Sequence, residues 1–183
     1  MQDIWNRIES WLKVNAPEIH SDLLPGAADE EVRSAEEHLG VKFPEDAKAS
    51  FRIHNGQRGM ASPLMGEWQL LPLENVMSQW DIMKGLSDAG KFANVKSKPV
   101  GPVRDDWWNV KWVPLAYNGA GDLQCLDFDP APGGAAGQMI SFWHMDEKRE
   151  RLSNDFRSWL QGFADDLEAG KYKVEDGTLN KVE

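Results

Sequence analysis

The stretch 112–146, WVPLAYNGAGDLQCLDFDPAPGGAAGQMISFWHMD, limits the fold more than any other part of this chain. From 122 to 128 the residues Leu123, Cys125 and, less strictly, Asp127 share one face, while Gln124, Leu126 and Phe128 share the other, as on a half-buried strand. The run 129–137, DPAPGGAAG, then supplies two prolines and three glycines. Proline removes backbone donors and glycine permits positive φ, so the chain must turn there before 138–144 resumes an extended course. Upstream, 107–115 is rich in β-formers and closed by Pro114, and Asn118-Gly119 and Gly121-Asp122 mark a turn into the next strand. Three consecutive antiparallel strands follow.

Helical spacing surrounds this centre. Ile4, Trp5, Ile8, Trp11 and Leu12 give an amphipathic helix over 3–14 that caps the core, ended by Pro17 and Leu24-Pro25-Gly26. A second helix starts where Asp29 can accept free amide hydrogens, with Glu30 and Glu31 near its positive end, buries Val32, Ala35 and Leu39, and stops at Gly40. Pro44 opens a third, with Ala47, Phe51 and His54 inward and Asn55-Gly56 at its end. His54 reads as a packed or helix-end histidine. Residues 67–71 read as a strand broken by Pro72, and Val76, Met77, Trp80 and Met83 as a helix. The segment 85–103 reads as irregular connection with room for a short strand. Phe156, Trp159, Leu160, Phe163 and Leu167 make the clearest helical stripe, begun by Ser153 or Asn154. A hairpin around Asp176-Gly177 fits the charged tail 171–183.

Length and composition bound the rest. At 183 residues, 41% hydrophobic and 27% charged, the chain suffices for one sizeable core and is short for two. The expected fold class is α+β, a single domain over 1–183 with a mostly antiparallel central sheet flanked by helices from both ends. No run of about 18 apolar residues offers a membrane span, and the acidic start MQDIWNRIESWLK is unlike a signal peptide. A single cysteine fits a reducing compartment, so a cytoplasmic location is expected. A formal charge of −10 would repel a phosphate backbone, which argues against direct nucleic-acid binding and for a basic protein partner.

Three passages share wording with a known superfamily. In 112–146 stand a Trp-x-Pro-Leu-Ala strand, an Asn-Gly-x-Gly-Asp turn, a Leu-Asp-x-Asp-Pro strand end, a Pro-Gly-Gly loop, and Gly-Gln with Trp and His beyond it. The stretch 24–57 carries PGAADEEV and LGVKFPEDAKASFRIHNGQ, and 70–76 reads LLPLENV. Together they resemble the SUKH superfamily, which includes fungal regulators of glucan synthesis and cell-wall integrity and many bacterial immunity proteins. The resemblance covers about 24–160 and implies the same α+β architecture. Where the family has Thr or Ser at the start of the second helix, Ala28 stands here, so Asp29 must supply the cap or the cap is lost. Fungal members carry long flanking segments, and on that comparison the chain fits a compact bacterial-type member.

Catalytic templates are scarce. There is no Gly-rich phosphate loop with Lys-Ser/Thr, no Gly-x-Ser-x-Gly, no Cys-x-x-Cys and no His-Glu-x-x-His. Cys125 reads as a buried inert thiol. Asp122, Asp127, Asp129, His144 and Asp146 are expected to gather around adjacent strand ends, where they could hold a divalent metal or serve acid and base catalysis. Ordinary turn chemistry explains the same acids, and no spacing here is that of a metal motif. Nine tryptophans are many for this length, and Trp107 and Trp108, if both extended, point to opposite faces. An exposed Trp would serve as a protein-binding anchor or a sugar-stacking platform.

No enzyme, cofactor or metal is therefore expected. The resemblance favours an immunity protein that occludes a cognate, basic toxin, with a regulatory scaffold of cell-wall or glucan synthesis as the alternative. A metal-dependent hydrolase and a glycan-binding protein rank below these. The candidate partner-binding residues are Trp107, Trp108, Asp122, Asp127, Asp129 and Asp146.

Overall fold

A computed structural model describes residues 1–182. The expected meander is its centre: β3 (Trp112–Tyr117), β4 (Leu123–Asp127) and β5 (Gln138–Phe142) pair antiparallel. They belong to a six-stranded sheet of order β1-β3-β4-β5-β6-β2, in which β1 (Gln69–Leu70) pairs with β3, and β6 (Lys148–Ser153) pairs with β5 and, in parallel, with β2 (Lys98–Val100). The helices are α1 (Gln2–Asn15), α2 (Pro17–Asp22), α3 (Asp29–Leu39), α4 (Glu45–Phe51), α5 (Leu73–Asp88) and α6 (Phe156–Glu168). A hairpin of β7 (Tyr172–Glu175) and β8 (Thr178–Lys181) follows α6. Asp176 and Gly177 turn it with φ of 50° and 75°, the left-handed pair that Asp-Gly supplies cheaply. The fold is the α+β arrangement, mostly antiparallel, that the sequence implies.

The shared face of Leu123, Cys125 and Asp127 is real, opposite Phe142, Ile140 and Gln138. The strand is not half-buried, however: Leu126 on the other face is also enclosed, as is all of β5. On the face of Gln124, α6 lies against the sheet and the Trp159 indole donates to Gln124 Oε1 at 2.8 Å. On the other, Trp108 sets its ring edgewise against Trp112 and Phe142. Pro114 cannot donate to a ladder, and β3 shifts register between Pro114 and Ala116, a bulge that tolerates it.

Several local expectations are corrected. Pro17 does end α1 but also opens α2, because a proline at a first helical position forfeits only an amide that has no helical partner anyway. Asp29 does not cap α3: it lies inside the helix and pairs with Arg52, while Glu31 reaches back to accept the Ala28 amide at 2.7 Å. Only that half of a capping box is possible with alanine at the cap. Neither Ser153 nor Asn154 caps α6, since Asp155 accepts from the Ser158 amide at 2.6 Å. Helix α5 runs on to Asp88, into the segment read as irregular. Strand β6 was not foreseen at all.

Polar contacts tie helix α1 to its neighbours, one inside the core and one at the surface. Trp5 donates to Ser50 Oγ at 2.9 Å, and Arg7 pairs with Asp165 and Glu168 of α6. Gln57, fully buried, holds 58–70 in place: Oε1 accepts from the Leu64 and Leu70 amides, and Nε2 donates to Asp22 Oδ2 and the Ser62 carbonyl. Replacing Gln57 with Leu strands the Leu64 and Leu70 amides, while Asp22 Oδ2 keeps its bond from the Gly59 amide. A loss of about 2–4 kcal/mol is expected, read as a lower midpoint in urea denaturation.

A candidate partner-binding rim at one end of the sheet

The acids do not gather at one place. An antiparallel hairpin sets the start of β4 beside the end of β5, and the end of β4 beside the start of β5. Asp122 and Asp127 therefore stand at opposite ends of β4, roughly 17 Å apart at the usual rise of a strand. Among the described residues no three His, Cys, Asp or Glu side chains are placed to hold a metal ion.

At the first end, turn 118–122 meets loop 143–147. Asp122 Oδ1 accepts from the His144 amide at 2.8 Å and from its Nδ1 at 2.9 Å, and Asp122 Oδ2 accepts from Asn118 at 2.8 Å. Burial draws the Asp122 carboxyl upward, but the hydrogen bonds from His144 and Asn118 outweigh it and hold the group below the ordinary carboxylate range. Gly121 is required here: a Cβ would come within 2.9 Å of the His144 ring.

Beneath this turn lies Arg149, fully buried and, among the described residues, bonded to carbonyls and to no carboxylate. Its Nη1 donates to the carbonyls of Trp143, Asp146 and Lys148 at 3.1, 2.8 and 2.7 Å, and its Nε and Nη2 both reach the Trp107 carbonyl. The guanidinium is sandwiched between the rings of Trp107 and Phe142, 4.7 and 4.3 Å from their centroids. Burial lowers its pKa to about 10, so it remains charged at neutral pH. One side chain thus fixes both the bend at Trp107 and the whole of loop 143–148. Outside that loop stand Met145, 84% exposed, and the exposed Asp146.

At the other end, Asp127 is fully buried. Its carboxylate accepts from the Asp129 amide and from Gln138 Nε2, both at 2.9 Å. Burial raises its pKa, and those two hydrogen bonds offset only part of the rise. Asp129 is half-exposed, held by Arg104 and by Asn109 at 3.0 Å. Desolvation pulls its pKa up, and Arg104 and Asn109 more than reverse it. Of the six candidate residues, Asp146 is exposed, Trp107, Asp122 and Asp129 are half-buried, and Trp108 and Asp127 are enclosed, 5% and 0% exposed. The last two shape the site from within. Arg149 and Met145 were missed. Cys125 is the buried thiol expected, its pKa pushed up by desolvation.

Two outcomes test this geometry. Arg149→Lys keeps the charge but cannot span the same carbonyls, so a loss of about 2–4 kcal/mol is expected in chemical denaturation at neutral pH. For Asp127, a carboxyl raised on folding lends stability that is complete below its ordinary value of 3.8 and is lost as pH rises through the folded value. The stability of the wild type relative to Asp127→Asn should therefore fall as pH is raised from about 4 toward neutrality. A flat difference in urea melts across that range would show that Asp127 titrates as if exposed.

Comparison with known proteins matches residues 26–162 to the SMI1/KNR4 family, SUKH-1. The chain is 27% identical to the cell wall assembly regulator SMI1 of Saccharomyces cerevisiae over 94% of its own length and 41% of that protein's. It is 26% identical to the cell wall biosynthesis/cell cycle regulator smi1 of Schizosaccharomyces pombe, over 96% and 38%. It is 22% identical to the glucan synthesis regulatory protein of Neurospora crassa, over 95% and 40%. The chain thus spans about two fifths of the length of these relatives. With three quarters of its residues matched in order, the chain belongs to the SMI1/KNR4 family (SUKH-1).

Proposed function

We propose that the chain is a non-enzymatic protein-binding module of the kind that regulates cell-wall or glucan synthesis. The observation that carries this reading is the match along nearly the whole chain to proteins named as regulators of those processes. The regulatory reading thereby displaces toxin immunity as the first choice. The geometry supports a binding role: the carboxylates are spent on backbone amides and ion pairs, and no three of them converge with histidine. No helix of the described residues is long and apolar enough to cross a membrane.

The face assigned to the partner is the rim of Met145, Asp146, Asp122 and Trp107. Arg149 holds its loop in one arrangement before any partner arrives, which lowers the ordering cost of association. A flexible, exposed methionine flanked by acids suits a basic partner with an apolar pocket, and an interface of about 1,600 Å2 would extend well beyond these side chains. The net charge of −10 equally favours a basic toxin as partner, and that is the second reading.

Capture from lysate on the immobilised chain tests both, with Met145→Ala/Asp146→Lys as the control. Both side chains are exposed and the variant gives up the Asp146 Oδ1 bond to the Lys148 amide, so a stability loss of no more than about 1.5 kcal/mol is expected. Envelope-synthesis proteins are expected on the wild type, reduced at least about tenfold on the double variant and weakened by salt. A single basic toxin-like protein would establish the second reading instead, and equal retention by the variant would remove the rim as the binding face.

A further inference from the structure

Away from the rim, α6, the β7–β8 hairpin and the turn 65–68 enclose an open cleft of about 540 Å3. That volume lies within the range of small-ligand sites. Half-buried Trp159 contributes the accessible aromatic surface, with Trp68 and Tyr172 largely enclosed behind it, each 9% exposed. The Trp159 ring is fixed by its bond to Gln124 Oε1, and among the described residues the Gln124 amide nitrogen has no protein partner. The Asn180 side-chain oxygen and the Ser158 hydroxyl line the same space and are also without one. Asp166 is engaged by Lys171 at 2.7 Å and Lys181 at 3.1 Å, so the lysine in the cleft already has its counter-charge. The lining therefore offers one partly exposed indole with neutral donors and acceptors and, among the described residues, no unpaired cation for an anionic ligand.

Gly162 supplies a second, independent observation. It sits mid-helix in α6, exposed, on the wall of the cleft, one turn after Trp159 and one before Asp166. A Cβ built there meets nothing within 4 Å. Nothing inside the protein requires glycine at this point, and glycine is the poorest residue except proline for a helix interior. The helix backbone at Gly162 is thus open to anything that enters the cleft.

We propose that this cleft binds a short neutral oligosaccharide, one sugar ring lying over the bare backbone at Gly162 against Trp159 and its hydroxyls meeting Gln124 and Asn180. Aromatic faces beside amide side chains match the alternation of C–H faces and hydroxyl edges on a sugar ring. The inference goes beyond the regulatory reading and does not depend on it, because it is tested on the purified chain with no protein partner present.

The test is calorimetric titration of the full chain with neutral tetrasaccharides of glucose, mannose and N-acetylglucosamine, repeated on Gly162→Ala and Gly162→Gln. Both variants should melt at a higher temperature than the wild type, since each improves the helix. Binding of at least one tetrasaccharide to the wild type is expected, with an affinity loss of about tenfold or more in Gly162→Gln. A stabilised protein that binds less well is a combination that a purely structural role for Gly162 does not produce. Absence of binding by every saccharide at millimolar concentration would overturn the proposal, as would unchanged affinity in Gly162→Gln. Capture of hydrophobic peptides alone from a synthetic library, lost in Gly162→Gln, would reassign the cleft to peptides and overturn it too.

Discussion

A buried guanidinium that meets no carboxylate among the described residues organises one end of the central sheet. Removing a charge from water costs several kcal/mol, and the usual offset is an opposite charge. Arg149 has carbonyl oxygens instead, from Trp107, Trp143, Asp146 and Lys148, with an aromatic ring on each side. The reason lies in the backbone. A chain that doubles back over 143–148 and passes a bend at Trp107 turns several carbonyls toward one point, and buried carbonyls must find donors. Only the five N–H groups of arginine serve so many acceptors from a single side chain. A neutral hydrophobic residue would avoid the desolvation cost and leave those oxygens unpaired.

The two ends of the central meander then treat their acids in opposite ways. Asp122 sits where donors converge and water reaches, so it is held ionised; Asp127 sits where burial dominates, so its proton is retained to higher pH. What reads as one acidic cluster becomes two unrelated sites, one a clasp between neighbouring loops, the other a support for the Asp129 turn. In each, one carboxylate oxygen is engaged by a backbone amide and the other by an amide side chain.

Much of this was legible in the sequence, and the parts that were not share a cause. The meander could be read because turn chemistry and two-residue alternation are local; α6 because Phe156, Leu160, Phe163 and Leu167 repeat at helical spacing. Strand β6 was invisible since its one enclosed residue is Arg149 and its only apolar residue, Leu152, is exposed, so no alternation of apolar residues marks it. Its parallel pairing with Lys98–Val100, 50 residues upstream, leaves no local trace at all. The scattering of the acids, by contrast, was within reach: drawing the hairpin as antiparallel places Asp122 beside Trp143 and Asp127 beside Gln138. Arg149 was overlooked because arginine is read as a surface residue until a fold supplies enough acceptors to enclose it.

The rim and the cleft are not remote from each other. Trp143 gives its carbonyl to Arg149 and sets its ring edgewise against Trp68, 5.6 Å between centroids, and Trp68 lines the cleft. A contact of this kind couples two sites energetically only if the groups between them have two arrangements of similar stability, which each ligand favours differently. Arg149 works against that condition. Enclosed, charged and bonded to four carbonyls, it gives loop 143–148 a single arrangement, and any alternative would strand a buried charge. The Trp68–Trp143 contact therefore joins the two surfaces as one rigid body. It fixes where the cleft and the rim lie relative to each other, and on this geometry binding at one would leave affinity at the other unchanged.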